Sequence, residues 1–268
     1  MRLIRAAAAL AALLIAAPGG AELMIAPTRV VLAPAQRSAE LVLVNKGAET
    51  AAFRISVENR RMRRDGGLEA AETARADELF AADKIRFSPR QLILEPGARQ
   101  TIRIAADVPA GLAPGEYRAH LRLMSAPTGS AGAAPADDAG DGRSLSIQLI
   151  AIRSLTIPVL LRVGTLDAQV TVADAAFSGA ADNLLVVRMT RQGGRSSYGD
   201  LRLTVDGETE PAYFVRGVAI YTPNTEREVL LPLPAAVRTR LAGRAVRIEY
   251  VSTDPAAPGV IATATTRL

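Results

Sequence analysis

Side chains able to do chemistry are few and scattered in this sequence. The single histidine, His120, stands in an alternating stretch, Tyr117 to Met124, that reads as a strand. Paired with Ser196 or Ser197 it could serve a hydrolase as general base, but no spacing brings these residues together, and a partly buried strand histidine is the simpler reading. The absence of cysteine excludes thiolate metal sites and cysteine nucleophiles. No glycine-rich loop follows a strand and opens a helix, so a phosphate cradle is missing. Carboxylates are dispersed, without an inward-facing pair. Arg60-Arg61-Met62-Arg63-Arg64 concentrates positive charge and could hold an anion, but Asp65-Gly66-Gly67 follows it, so it reads first as the solvated arm of a hairpin.

What remains is chemistry of the backbone. Ser144 to Val163 is a run of aliphatic and β-branched residues broken by one proline, Pro158. A mean strand has about 5–6 residues, so this is two strands in series or one unusually long one. In its first part Leu145, Ile147, Leu149 and Ala151 share one face, and Ser144, Ser146, Gln148 and Ile150 the other. Pro158 has no N–H for a ladder, which argues for an edge strand, a bulge or a break. A long apolar edge strand invites pairing with another chain, and strand addition to a partner is the function that such an edge can perform.

The elements around this run are strands separated by turns. Residues 1–21 stand apart: Arg2 and Arg5, an apolar run from Ala6 to Ala17, then Pro18-Gly19-Gly20-Ala21. This is the pattern of a cleavable secretory signal, with an apolar run too short to span a bilayer as an anchor. Its removal takes away two arginines and no acid, so the net charge falls by two from +5. The sequence pI of about 10.0 therefore says little about nucleic acid. An exported chain without disulfides must be held by its cores alone.

From Leu23 the strands run through Ala39–Asn45, with Leu41 and Leu43 or else Val42 and Val44 inward, and Ala52–Val57, which buries Phe53, Ile55 and Val57. Residues 69–84 are a short helix or an exposed loop. Two short strand-like pieces flank Pro89, and Glu95-Pro96-Gly97-Ala98 suits a type II turn. Residues 125–143 are low-complexity and read as a flexible loop directly before the long run. Beyond Leu166 come roughly seven short strands, with a turn of helix at Ala235 to Leu241. Short strands at regular spacing indicate sandwiches. The expectation is all-β: residues 22–163 as one β-sandwich domain, closed by a strand over 144–162, and residues 164–268 as a second.

Several residues together carry a family resemblance. Thr28-Arg29 precedes an apolar strand. Ser38 to Asn45, Leu94-Glu95-Pro96-Gly97 with Gln100 and Arg103, Gly115-Glu116-Tyr117-Arg118 and the alternating strand Leu145 to Ala151 follow in order. This resembles the periplasmic chaperones that assemble pili (fimbriae) by the chaperone–usher route. The resemblance covers most of residues 23–163. In residues 166–268 it rests on Arg195 to Leu201 and Gly217 to Tyr221. It implies two immunoglobulin-like sandwiches in a boomerang, whose cleft holds an incomplete pilus subunit. The last strand of the first domain would be lent to that subunit, with Leu145, Ile147, Leu149 and Ala151 filling its groove. Burying four such side chains is worth roughly 6–12 kcal/mol before ordering costs. The resemblance further implies two cleft cations for the subunit's C-terminal carboxylate. Arg29 matches the first. The second is a lysine in the family, and here Thr156 or Pro158 stands in its place, so Arg153 is carried as the substitute, with Arg162 further along. It implies a periplasmic, non-enzymatic protein without cofactor or metal, whose partners are pilus subunits and an outer-membrane usher, with no nucleic acid and no membrane insertion. The alternatives are a secreted pilus subunit or adhesin built from like domains, which should carry an N-terminal alternating extension, and the hydrolase built on His120.

Overall fold

The computed structural model describes residues 23–126, 153–179 and 182–268. The expected signal segment, most of the low-complexity loop and the groove-facing residues Leu145, Ile147, Leu149 and Ala151 lie outside the described residues.

The first half is built from β1 (Leu23–Ala26), β2 (Val30–Leu32), β3 (Ser38–Asn45), β4 (Ala51–Glu58), β5 (Arg60–Met62), β6 (Leu68–Ala70), β7 (Ile85–Ser88), β8 (Gln91–Leu94), β9 (Arg99–Ala106), β10 (Gly115–Ala126) and β11 (Ser154–Val163). One sheet has the order β1-β3-β9-β7 and the other β2-β11-β10-β4-β8. Their inner faces meet in one core, where Leu41, Leu43, Phe53, Ile55, Ile102, Ile104, Leu121, Ile157, Val159 and Leu161 interlock. In β3 it is Leu41 and Leu43 that point inward, while Val42 and Val44 are half-buried. In β4 Phe53 and Ile55 are buried, and Val57 is half-buried and packs against the core. Asn45 ends β3 with its side chain sealed in: its amide donates to the Leu94 carbonyl (3.0 Å) and the Glu49 carbonyl (2.7 Å). The type II turn at Glu95–Ala98 is present, with Ala98 N–H donating to the Glu95 carbonyl (3.0 Å) and Gly97 at φ +76°. That backbone conformation favours glycine. Residues 71–81 are irregular and lead into a 3-10 turn, Ala82–Lys84, so the loop reading of this stretch is nearer than the helix.

The second half comprises β12 (Gln169–Phe177), β13 (Leu184–Gln192), β14 (Ser197–Val205), β15 (Tyr213–Ile220), β16 (Glu226–Pro232), the helix α1 (Ala235–Leu241), β17 (Ala245–Ser252) and β18 (Gly259–Arg267). Sheets β12-β13-β16 and β15-β14-β17-β18 enclose a separate core with Leu185, Val187, Leu201, Leu203, Val205, Val246, Ile248 and Tyr250. The architecture is thus two β-sandwiches, as the turn spacing indicates. A third, small cluster joins them: Met62 and Leu160 from the first sandwich against Ala219 and Tyr221 from the second.

The β5–β6 hairpin forms where Asp65-Gly66-Gly67 places it, with Arg63, Arg64 and Asp65 exposed around its turn and Met62 buried on its arm. It lies against the second sandwich, where Asn224 donates to the Met62 carbonyl (3.0 Å) and Glu228 N–H to the Arg64 carbonyl (2.8 Å). Its arginines face carboxylates: Arg60 with Glu58, Arg61 with Glu78, Arg63 with Asp65 and Arg64 with Glu226. A cluster so neutralised is a docking arm rather than an anion site.

Candidate functional site

The site starts from the two edges of β11. One edge is zipped antiparallel to β10 along Ser154–Val163. The other is covered only over Val159–Leu161, by the short parallel strand β2. Among the described residues, no strand lies along the outer edge of Ser154–Pro158. Side chains on this stretch alternate: Ile157, Val159 and Leu161 point into the first core, and Leu155, on the same face, is 41% exposed. β11 is therefore an edge strand with backbone groups and an apolar side chain left open just before β2 caps it, which is the place where Pro158 predicted an edge.

Arg29 sits on this boundary. It directly precedes β2, whose Val30 is level with Val159, so Arg29 falls beside Pro158. A strand laid along Ser154–Ile157 in the line of β2, and parallel to β11 as β2 is, would run toward Val30 and end against Arg29. The arginine is held from the other domain. Its Cζ lies 4.1 Å from the centre of the Tyr198 ring on β14, and Nη2 donates to the Thr253 carbonyl at 3.5 Å. Nη1 is shielded from solvent and has no hydrogen-bond partner among the described residues. Such a donor is costly to leave unmet, and a carboxylate is the acceptor that the planar guanidinium fork fits best.

The even-numbered face of β10 continues the site between the domains. Tyr117, Ala119, Leu121 and Leu123 point into the first core. Glu116, Arg118 and His120 point the other way and are nonetheless buried, because the second sandwich covers them. Glu116 accepts from Arg162 Nε (3.0 Å) and from the Ser196 backbone N–H (3.0 Å). Arg162 in turn holds Asp254 through Nη2 (2.6 Å) and Nη1 (3.3 Å). Burial, the largest single influence, would raise the Asp254 carboxyl, but the hydrogen bond and charge of Arg162, the Ala256 N–H and the charge of Arg195 together hold the group below its ordinary range. Arg118 donates to the Thr222 carbonyl (2.5 Å) and the Arg60 carbonyl (3.0 Å), with its guanidinium 4.9 Å from the Tyr221 ring centre. Its Nε, with those of Arg195 and Arg227, is buried without a partner. Among the described residues, the region between the domains thus leaves several buried arginine N–H groups without an acceptor.

His120 is fully buried, and neither ring nitrogen has a partner among the described residues. Burial, followed by the charges of Arg118 and Arg60, pushes its pKa down to about 3. It packs edge-on against Tyr221 at 6.2 Å. Ser196 Oγ instead accepts from Thr222 N–H, and Ser197 Oγ donates to Tyr250 Oη. The serine–histidine pairing has no geometry here.

Of the expected carboxylate anchors, Arg29 lies at the domain boundary and Arg153 does not accompany it. Arg153 precedes β11, where its N–H donates to Ser125 Oγ (2.8 Å). The parallel register sets it five residues before Pro158, about 16 Å along an extended chain. The two arginines are not one site. Reading the sequence missed Glu116, Asp254, Tyr198 and Thr253. The alternation of β10 signals a polar face, but only a neighbouring domain makes that face buried, and no local pattern announces it.

No protein-family profile matches the chain, and no curated protein does. The chain is similar in structure to assembly chaperones of pili and fimbriae. The CsuC–CsuE chaperone–tip adhesion subunit pre-assembly complex of archaic Csu pili from Acinetobacter baumannii aligns at 12% identity with TM-score 0.49, covering 90% of this chain and 97% of that one. The CupB2 chaperone of Pseudomonas aeruginosa aligns at 15% identity with TM-score 0.44, covering 91% and 100%. The E. coli chaperone DraB aligns at 17% identity with TM-score 0.45, covering 92% and 97%.

Proposed function

We propose that this chain is a non-enzymatic periplasmic chaperone for pilus or fimbrial subunits, which it holds by strand addition and delivers to an outer-membrane usher. The incoming strand would lie along the open edge of β11, where backbone pairing gives affinity and alternate side chains give selectivity. Its C-terminal carboxylate would meet Arg29. The observation that carries this reading is the coincidence of three features at one point: the outer edge of β11 opens, β2 sets a parallel direction, and Arg29, whose Nη1 has no partner among the described residues, stands there. Leu155 supplies the described part of the lent apolar face. Leu145, Ile147, Leu149 and Ala151 share its odd parity in the sequence and are proposed as the continuation.

The test is co-expression with candidate exported sandwich subunits followed by co-purification. Arg29→Ala should abolish capture while leaving the fold intact, and pull-down at the wild-type yield contradicts the reading. A charge at Leu149 should weaken capture more than the same charge at Gln148, and equal effects would place the contact on the wrong face.

A further inference from the structure

Arg29 belongs to the first sandwich by sequence, yet among the described residues its guanidinium is held by Tyr198 and Thr253 of the second. The Tyr198 ring lies 4.1 Å from Cζ, while the hydrogen bond to the Thr253 carbonyl, at 3.5 Å, is at the limit of what counts as one. The ring is therefore the firmer support. It is itself well seated. The Tyr198 carbonyl accepts from Thr253 N–H (3.0 Å), which locks β14 to the start of the next loop. Gly217 on β15 leaves room for the phenol: a Cβ there would stand 3.0 Å from the hydroxyl, and its φ of +74° suits glycine. Tyr198 also packs against the interdomain cluster of Met62, Leu160, Ala219 and Tyr221.

An arginine side chain is long and free to rotate, and an anchor must have its fork set before the ligand arrives. Stacking on an aromatic face fixes the plane of a guanidinium while leaving its N–H groups in that plane for an acceptor. We propose that Tyr198 is the positioning residue for Arg29, so that the second domain sets the carboxylate preference of a strand bound to the first. This rests on the reading of Arg29 as a carboxylate anchor. It makes discrimination between a strand with a free C-terminal carboxylate and one without depend on the packing between the domains.

The probe is a pair of alternating Val/Thr peptides as long as β11 (10 residues), one ending in a free acid and one in an amide. Binding to the full chain is measured by titration calorimetry. The wild type should favour the acid by about tenfold, the scale of one charge-assisted contact. Tyr198→Phe, which keeps the ring, should hold that ratio. Tyr198→Leu and Tyr198→Met, which remove it, should bring the ratio below about threefold while the thermal unfolding midpoint stays close to that of Tyr198→Phe. A merely structural role would lower both peptides' affinities together and leave the ratio alone. If either folded ring-free variant keeps the tenfold preference, the assignment of Tyr198 is overturned, although an Arg29→Ala variant without preference would still uphold the anchor. If the wild type does not tell acid from amide, the anchor reading fails and the role of Tyr198 falls with it.

Discussion

Replacing Arg162 by methionine gives the sharpest test of how the two sandwiches are joined. Among the described residues, this guanidinium is the one ion-pair partner of both Glu116, whose side chain is 0% exposed, and Asp254, at 5%. Methionine fills much of the same volume but leaves two buried carboxylates unpaired. Breaking a buried pair from one side costs about 3–5 kcal/mol, because the charge left behind is uncompensated. For a chain of this size that corresponds to a fall of roughly 6–20 °C in unfolding temperature. The loss falls between the domains, since each sandwich keeps its own core. Calorimetry at pH 7 should therefore show the wild-type transition moved down and split into two. Adding Glu116→Gln and Asp254→Asn to the same chain should restore most of the lost stability, since no buried charge then remains. A shift under about 2 °C for Arg162→Met, or a triple variant less stable than the single one, would refute the reasoning. The pH dependence has a definite sign. Asp254 is held below its ordinary value of 3.8, so its contribution is complete above that value and is lost as the pH falls through the lower folded value.

His120 gives a second handle of the same sign, acting at higher pH. With its pKa pushed from 6.5 to about 3, the folded chain resists protonation that the unfolded chain accepts, so stability is full above pH 6.5 and falls toward pH 3. The slope reaches about 1.4 kcal/mol per pH unit, which His120→Leu should remove; urea unfolding at pH 7 and pH 5 should show the wild type losing about 2 kcal/mol more than the variant, and equal losses would contradict it. Leu155→Asp should weaken capture of a subunit roughly tenfold with little change in unfolding, because the residue is half out of the core but on the lent face; binding equal to wild type would exclude it from the contact. Arg153→Ala should leave the preference for a free carboxylate within about twofold of wild type, since it lies about 16 Å along the strand from Arg29; a collapse of that preference would mean the register reading is wrong.

Much of the architecture was legible in the sequence. The strands of the second half and the helical turn at Ala235–Leu241 fall where turn residues and alternation place them, because both are local signals. The missing N–H of Pro158 pointed to an edge strand, a bulge or a break, and the structure shows the edge. The site was less legible. Arg29 came from a resemblance, and by itself an arginine ahead of a strand reads as a surface residue. Arg153 was chosen by nearness in sequence, whereas the parallel register of β2 on β11, a contact between distant segments, decides which residue Arg29 faces. The Arg60–Arg64 cluster shows the same limit. Its hairpin follows from Asp65-Gly66-Gly67, but the carboxylates of Glu226 and Glu228 that meet Arg64 lie in the other sandwich.

The most direct test of the account is backbone hydrogen exchange over Ser154–Pro158, measured on the free chain and on its complex with a co-purified subunit. Amides on an uncovered strand edge exchange quickly, and those paired to a neighbouring strand are protected. The account predicts fast exchange on the outer edge of this segment in the free chain and strong protection in the complex, ending at the Arg29 boundary. A complex that forms while this segment exchanges as it does in the free chain would contradict it.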